Sequence, residues 1–205
     1  MQTSTVTSDL LKMRVKLVEE KRLEEMQSYI SAKDFNKVGK LAIQESNSLH
    51  AVCLDTYPPL FYLNEKSKEI IRIINEFNKF EQTSTDSLKA FYSFDAGPNA
   101  FLFVLDEHRT ELLYLIYKLY FSEIISEEEY SEMLKSKGDK YFTFSSLSLE
   151  RRNLIDAHFV PIIHFKSTKK DSLIKYVISS KAGKDPTVLY NDWSNSLFGK
   201  DWQVS

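Results

Sequence analysis

The run Tyr92-Ser93-Phe94-Asp95-Ala96-Gly97-Pro98-Asn99-Ala100 decides the fold, because it sets a tight turn between two hydrophobic segments. Leu88 to Phe94 reads as a strand and Ala100 to Leu105 as a second, with Asp95 where the first strand breaks into the loop. Leu88, Ala90, Tyr92 and Phe94 share one face and Lys89 and Ser93 the other, as in an antiparallel sheet with one wetter side. Ala100 to Leu105 is apolar throughout, so it is expected to be the more central of the two strands. Gly97 permits dihedrals and a closeness of approach that a side chain forbids, while Pro98 removes a backbone donor and restricts its predecessor. The loop is therefore stiff. A stiff loop holding one acid against apolar strands makes Asp95 a candidate catalytic carboxylate, since burial and nearby charge tune its proton affinity. The same residues also make an ordinary turn, with the Asp95 side chain accepting from the amides that follow it, and spacing alone favours that turn.

Outward from this turn the chain is mostly helical. Ser8 caps a helix expected from Ser8 to Ser31, with Leu11, Val15, Val18, Leu23, Met26 and Ile30 at helical spacing. Asp34 caps a second, amphipathic helix that runs to the Pro58-Pro59 stop and carries His50. Ser46, His50 and Cys53 lie on neighbouring turns, but no second histidine or cysteine stands at ligand spacing. His50 is read as a hydrogen-bonded structural residue and Cys53 as a small core residue. Tyr57 to Leu63 is a rigid aromatic connector. Asn64 caps a third helix whose Ile70, Ile71, Ile73, Ile74 and Phe77 form a wide apolar face. Arg109 to Phe121 is a further buried helix, with His108 expected at the surface near its start. Ser126 caps Glu127, Glu128 and Glu129, acids that complement a helix dipole. A short helix follows Ser145 to Ser148, and its Arg151-Arg152 pair has only a remote claim on a phosphate. Ile162 to Phe165 and Leu173 to Ser179 read as strands, and Trp193, Phe198 and Trp202 are expected to anchor the tail on the body.

A length of 205 residues suits a single domain with a sizeable core. Twenty-seven basic against 29 acidic side chains give a net charge of -2, which argues against nucleic acid or an anionic membrane as a partner. The single cysteine, Cys53, cannot form an internal disulfide, and there is no apolar run of spanning length and no secretion signal. The composition predicts a cytoplasmic protein.

Together with Glu45-Ser46-Asn47-Ser48-Leu49-His50-Ala51-Val52-Cys53-Leu54-Asp55-Thr56-Tyr57-Pro58-Pro59, the Asp95 loop resembles the C-terminal half of diphosphomevalonate decarboxylase, of the GHMP kinase superfamily. The opening Met1 to Ser8 and the segment Lys175-Tyr176-Val177-Ile178 resemble the same enzyme, the latter as a late strand. The family tends to have aspartate where this chain has Glu45, and a Gly-x-Gly-Pro turn where this chain reads Gly183-Lys184-Asp185-Pro186. The resemblance implies an α+β fold, an antiparallel sheet packed by helices and lacking an early strand. It implies one C-terminal decarboxylase-like domain over residues 1–205, without the N-terminal nucleotide-binding half.

By the same resemblance, Asp95 is the catalytic residue, as base or positioner at the substrate hydroxyl, and Ala96, Gly97, Pro98 and Asn99 shape its loop. The implied reaction is the ATP- and Mg²⁺-dependent decarboxylation of mevalonate 5-diphosphate to isopentenyl diphosphate, a precursor of isoprenoids and sterols, by a homodimer. The five glycines are too scattered to form a phosphate loop, so no cofactor-binding or metal-binding residue is assigned in this chain. Two other readings keep the fold: a non-catalytic interaction or dimerisation module, and a related small-molecule kinase without decarboxylation.

Overall fold

β1 (Ala90–Phe94) and β2 (Ala100–Val104) pair antiparallel, with Ala90 opposite Val104 and Phe94 opposite Ala100. The computed structural model describes residues 2–81, 87–136, 142–162 and 174–180, among which these two strands form the whole sheet. Helices α1 (Gln2–Thr7), α2 (Asp9–Leu17), α3 (Glu19–Ser31), α4 (Phe35–Asp55) and α5 (Glu65–Lys79) precede the sheet. After it come α6 (Asp106–Tyr120), α7 (Glu127–Ser136), a short 3₁₀ turn (Phe144–Ser146) and α8 (Leu149–Ile162). No helix of the described residues is long and apolar enough to cross a membrane.

The expected caps are in place. Asp34 accepts the Lys37 N–H at 3.0 Å. Asn64 and Ser67 exchange side-chain and backbone hydrogen bonds at 3.0 and 3.2 Å, and Ser126 and Glu129 do the same at 3.2 and 2.8 Å, so each start satisfies amides a helix leaves free. Ile74 and Phe77 of α5, Leu115 and Tyr120 of α6, Tyr130 and Leu134 of α7 and Ile155 and Phe159 of α8 form one core with Ala90, Tyr92 and Phe94.

The backbone register of β1 determines what must lie beside it. Leu105 donates its N–H to the Lys89 carbonyl at 3.1 Å, which continues the ladder and turns the polar groups of Phe91 and Ser93 toward β2. Those of Ala90, Tyr92 and Phe94 point the other way. At one end of that outer edge Asn78 stands in for a neighbouring strand: its Nδ2 donates to the Ala90 carbonyl at 2.8 Å, and its Oδ1 accepts from the Lys89 and Ala90 amides at 2.8 and 3.0 Å. Ser46 of α4 serves the other end. α4 comes close because Gly39 has no side chain: a Cβ there would lie 2.7 Å from the Phe91 ring and 2.8 Å from Leu88. Phe91 fills that space between Phe35, at 5.1 Å, and the stacked ring of Phe103, at 4.7 Å.

Several expectations are corrected. The helix expected from Ser8 to Ser31 breaks at Val18, where φ is -125° and ψ -37°. On a straight helix Arg14 and Arg22 would stand about 12 Å apart along the axis. Across the break both reach the carboxylate of Glu45, Arg22 at 2.5 Å, and this triad ties α2 and α3 to α4. β1, not β2, is the inner strand: α4 covers its far side, whereas Phe101 and Phe103 of β2 remain about half exposed. His108 is half-buried, its ring edge-on to Phe77 at 6.5 Å, because α6 starts three residues earlier than expected and draws it inward. Ile162 ends α8 instead of starting a strand, and residues 174–180 pair with no described strand, although Ile174 and Val177 pack on the core. The rest of the first expected strand, residue 173, the turn at 183–186 and the tail aromatics lie outside the described residues.

The N-terminal helices are also pinned at their start. Ser8 donates to Asp55 at 2.7 Å, Thr56 donates to the buried Ser4 hydroxyl at 2.8 Å, and the Tyr57 amide donates to Thr7 at 3.0 Å. Backbone and hydroxyl donors on its carboxylate hold Asp55 below the usual carboxylate range. Glu45→Ala should lower the stability of the protein by about 1–2 kcal/mol, the low part of the range for hydrogen bonds to charged groups because solvent still reaches the triad. A shift of the urea midpoint at unchanged m-value measures this; a midpoint equal to wild type contradicts it.

Candidate functional site

Four consecutive or near-consecutive residues of α4 face outward from its axis toward different partners. Glu45 takes Arg14 and Arg22; Ser46, Asn47 and His50 take β1. The Ser46 hydroxyl accepts the Phe94 N–H at 2.9 Å and donates to the Phe94 carbonyl at 3.2 Å, both bonds buried. Asn47 accepts the Tyr92 hydroxyl at 3.2 Å. His50, one helical turn beyond Ser46, meets the Phe94 ring edge-on at 6.5 Å. Phe94 is thus held by its backbone and by its ring, and Asp95 is the next residue.

Asp95 is exposed, and its carboxylate has no hydrogen-bond or ion-pair partner among the described residues. The burial expected to tune it is absent, because the chain turns outward at the end of β1. Ala96, Pro98 and Asn99 are exposed and Gly97 is half-buried, with open space where its side chain would be. The loop is therefore shaped by its own backbone and by the two strands it joins.

His50 is buried, and its Nε2 has no hydrogen-bond partner. Burial pushes its pKa below 6.5, against the opposing pull of the Phe94 carbonyl and the Asp95 charge, so the ring is neutral near pH 7. The hydrogen bond expected for this structural histidine is missing at that nitrogen. Cys53 is a buried thiol whose pKa burial raises, which suits a core residue and not a nucleophile. Beyond it, Leu60 donates its N–H to the Cys53 carbonyl at 2.9 Å, closing the connector that contains the cis Tyr57-Pro58 bond.

Sequence reasoning placed Ser46 and His50 on neighbouring turns but found neither the clasp on Phe94 nor the Asn47–Tyr92 bond. The signal was the spacing i, i+1, i+4 of three polar residues on a helix otherwise facing apolar strands. Arg151 and Arg152 are committed elsewhere: Arg151 pairs with Glu81 and, at 2.6 Å, with Glu111, and Arg152 reaches both oxygens of Glu127 at 2.8 Å. A cavity of about 210 Å³ beside Arg152 is walled by Glu127, Glu128, Glu132 and Lys135 and includes no residue of the Asp95 loop.

Residues 1–189 match the mevalonate 5-diphosphate decarboxylase C-terminal domain family. The chain belongs to this family. It is 36% identical to the diphosphomevalonate decarboxylase of Danio rerio over 201 residues, which cover 98% of this chain and 45% of the relative. To the diphosphomevalonate decarboxylase of Debaryomyces hansenii it is 47% identical over 129 residues, 63% of this chain and 32% of the relative. The chain thus spans less than half the length of these curated relatives. A crystal structure of mevalonate 5-diphosphate decarboxylase at 2.3 Å resolution superposes with a TM-score of 0.58 at 36% identity, over 82% of this chain and 38% of that one. The family assignment and the α+β architecture, helices around an antiparallel strand pair, agree with one another.

The depressed pKa of His50 has a consequence for stability. Below about pH 6.5 the unfolded chain binds a proton at this residue and the folded chain does not, so stability is lost as pH falls through that window. His50→Gln should weaken the loss of stability between about pH 7 and about pH 5.5, read from urea midpoints of both proteins. Identical pH dependence in the two would contradict it.

Proposed function

We propose that the chain is the C-terminal part of an ATP-dependent diphosphomevalonate decarboxylase that makes isopentenyl diphosphate for isoprenoid and sterol synthesis, with Asp95 as its catalytic carboxylate. The observation that carries the reading is the family match over residues 1–189 combined with the Asp95 turn at the end of a strand clasped by α4. The substrate is mevalonate 5-diphosphate, and the reading includes a cytoplasmic homodimer with no nucleic-acid or membrane partner.

An exposed carboxylate without a protein partner is suited to a substrate hydroxyl. By accepting a hydrogen bond from it, Asp95 fixes the oxygen and provides a place for its proton. Ala96, Gly97, Pro98 and Asn99 hold the approach open. ATP and Mg²⁺ belong to the complete enzyme in this reading, and Arg151 and Arg152, each paired with carboxylates, are not assigned to them. Proton handling is the part of the reaction assigned to the described residues.

In the complete enzyme, Asp95→Asn should lower kcat by about 10²- to 10⁴-fold, the range for loss of a general acid or base, with KM for mevalonate 5-diphosphate changed little. Carbon dioxide and ADP should fall together. A variant that keeps more than about one-tenth of wild-type kcat would remove Asp95 from the mechanism, and a wild-type enzyme that releases ADP without carbon dioxide would be the kinase.

A further inference from the structure

Phe94 is the last residue of β1, and its N–H and C=O point away from β2, so the strand ladder does not hold them. The Ser46 hydroxyl holds both, at 2.9 and 3.2 Å, and both bonds are buried. Asp95 has no side-chain partner of its own among the described residues, and the space around Gly97 is open, so no side-chain contact downstream fixes where the carboxylate leaves the strand. What fixes it lies upstream. The Phe94 ring is buried between Tyr92, at 5.8 Å, and His50, at 6.5 Å, which prevents the residue from turning about the strand axis.

We propose that Ser46 is a positioning residue for Asp95: by clasping both backbone polar groups of Phe94, its hydroxyl sets the place and direction at which the Asp95 carboxylate leaves the end of β1. His50 assists as a wall. Its ring meets the Phe94 ring edge-on at 6.5 Å, and it also feels the Phe94 carbonyl and the Asp95 charge. The inference rests on the reading of Asp95 as the catalytic carboxylate. Loss of the hydroxyl leaves the Asp95 side chain intact but free to sample positions from which the substrate oxygen is out of reach, and a displacement of about 1 Å is enough to cost on the order of 10²-fold in rate.

A double-mutant cycle in the complete enzyme separates this from a general loss of structure. Ser46→Ala alone should lower kcat by about ten- to a hundredfold, with KM for ATP and for mevalonate 5-diphosphate each within about twofold. In the Asp95→Asn background, the same substitution should cost no further kcat, because the group that Ser46 positions is already gone. Ser46→Thr, which keeps the hydroxyl, should restore most of the lost rate. An equal loss from Ser46→Ala in both backgrounds, or no loss in either, overturns the inference while leaving Asp95 as the catalytic carboxylate. Full activity of Asp95→Asn by itself overturns the reading on which the inference stands. Where Ser46→Ala does not accumulate as folded enzyme, Ser46→Cys, similar in size and a weaker donor, is carried through the same cycle and must show the same background dependence.

Discussion

A strand that ends inside a protein must give its outward-facing amide and carbonyl a partner, and at Phe94 that partner is one serine hydroxyl. Leaving a buried backbone group unpaired costs about 1–3 kcal/mol, enough to decide which neighbour the strand accepts. α4 meets the demand by running beside β1 closely enough for Ser46 to reach both groups. That closeness needs Gly39, since a side chain there would displace Phe91, and it leaves room for Asn47 to meet Tyr92. The same helix carries Glu45 on an adjoining face, so α2 and α3 are fixed to the element that fixes the strand. The N-terminal helices, α4, β1 and the Asp95 turn are therefore one mechanical unit.

At the other end of β1, Asn78 does for Ala90 what Ser46 does for Phe94. Both are short polar side chains on helices that imitate the edge of a strand, and together they close the outer edge of β1 at its two ends without a third strand among the described residues. β2 is treated differently. Phe101 and Phe103 are about half exposed, and the face they share with Phe91 and Ser93 is covered by α4 only over β1. The Asp95 turn thus springs from the well-held strand and returns along the less covered one, an asymmetry consistent with Asp95 being presented outward.

Local chemistry was legible in the residues. Asp34, Asn64 and Ser126 each stand before an apolar helical pattern and each accepts the amide its position calls for. The strand pair was equally plain, because Asp-Ala-Gly-Pro between two apolar runs leaves few alternatives. The family resemblance rested on the segment from Glu45 to Pro59 and on the Asp95 loop, and the match over residues 1–189 agrees with it. What failed depended on long-range packing. Helical periodicity continues smoothly through Val18, and only the convergence of Arg14 and Arg22 on a residue far along the chain explains the break. An evenly apolar β2 looked more central than β1 because sequence counts side chains, not the helix that covers them. The role of Ser46 was hidden for the same reason, since its partner is 48 residues away.

The central claim is that the Ser46 clasp, not the strand ladder, holds the end of β1. Amide hydrogen exchange at Phe94 tests it most directly, because this N–H points away from β2 and is protected by Ser46 alone. Phe94 should exchange slowly in the wild-type protein. Exchange there should accelerate markedly in Ser46→Ala, while the ladder amides of Phe91 and Ser93 keep their protection. Rapid exchange at Phe94 in the wild type, or protection that survives loss of the hydroxyl, would contradict it.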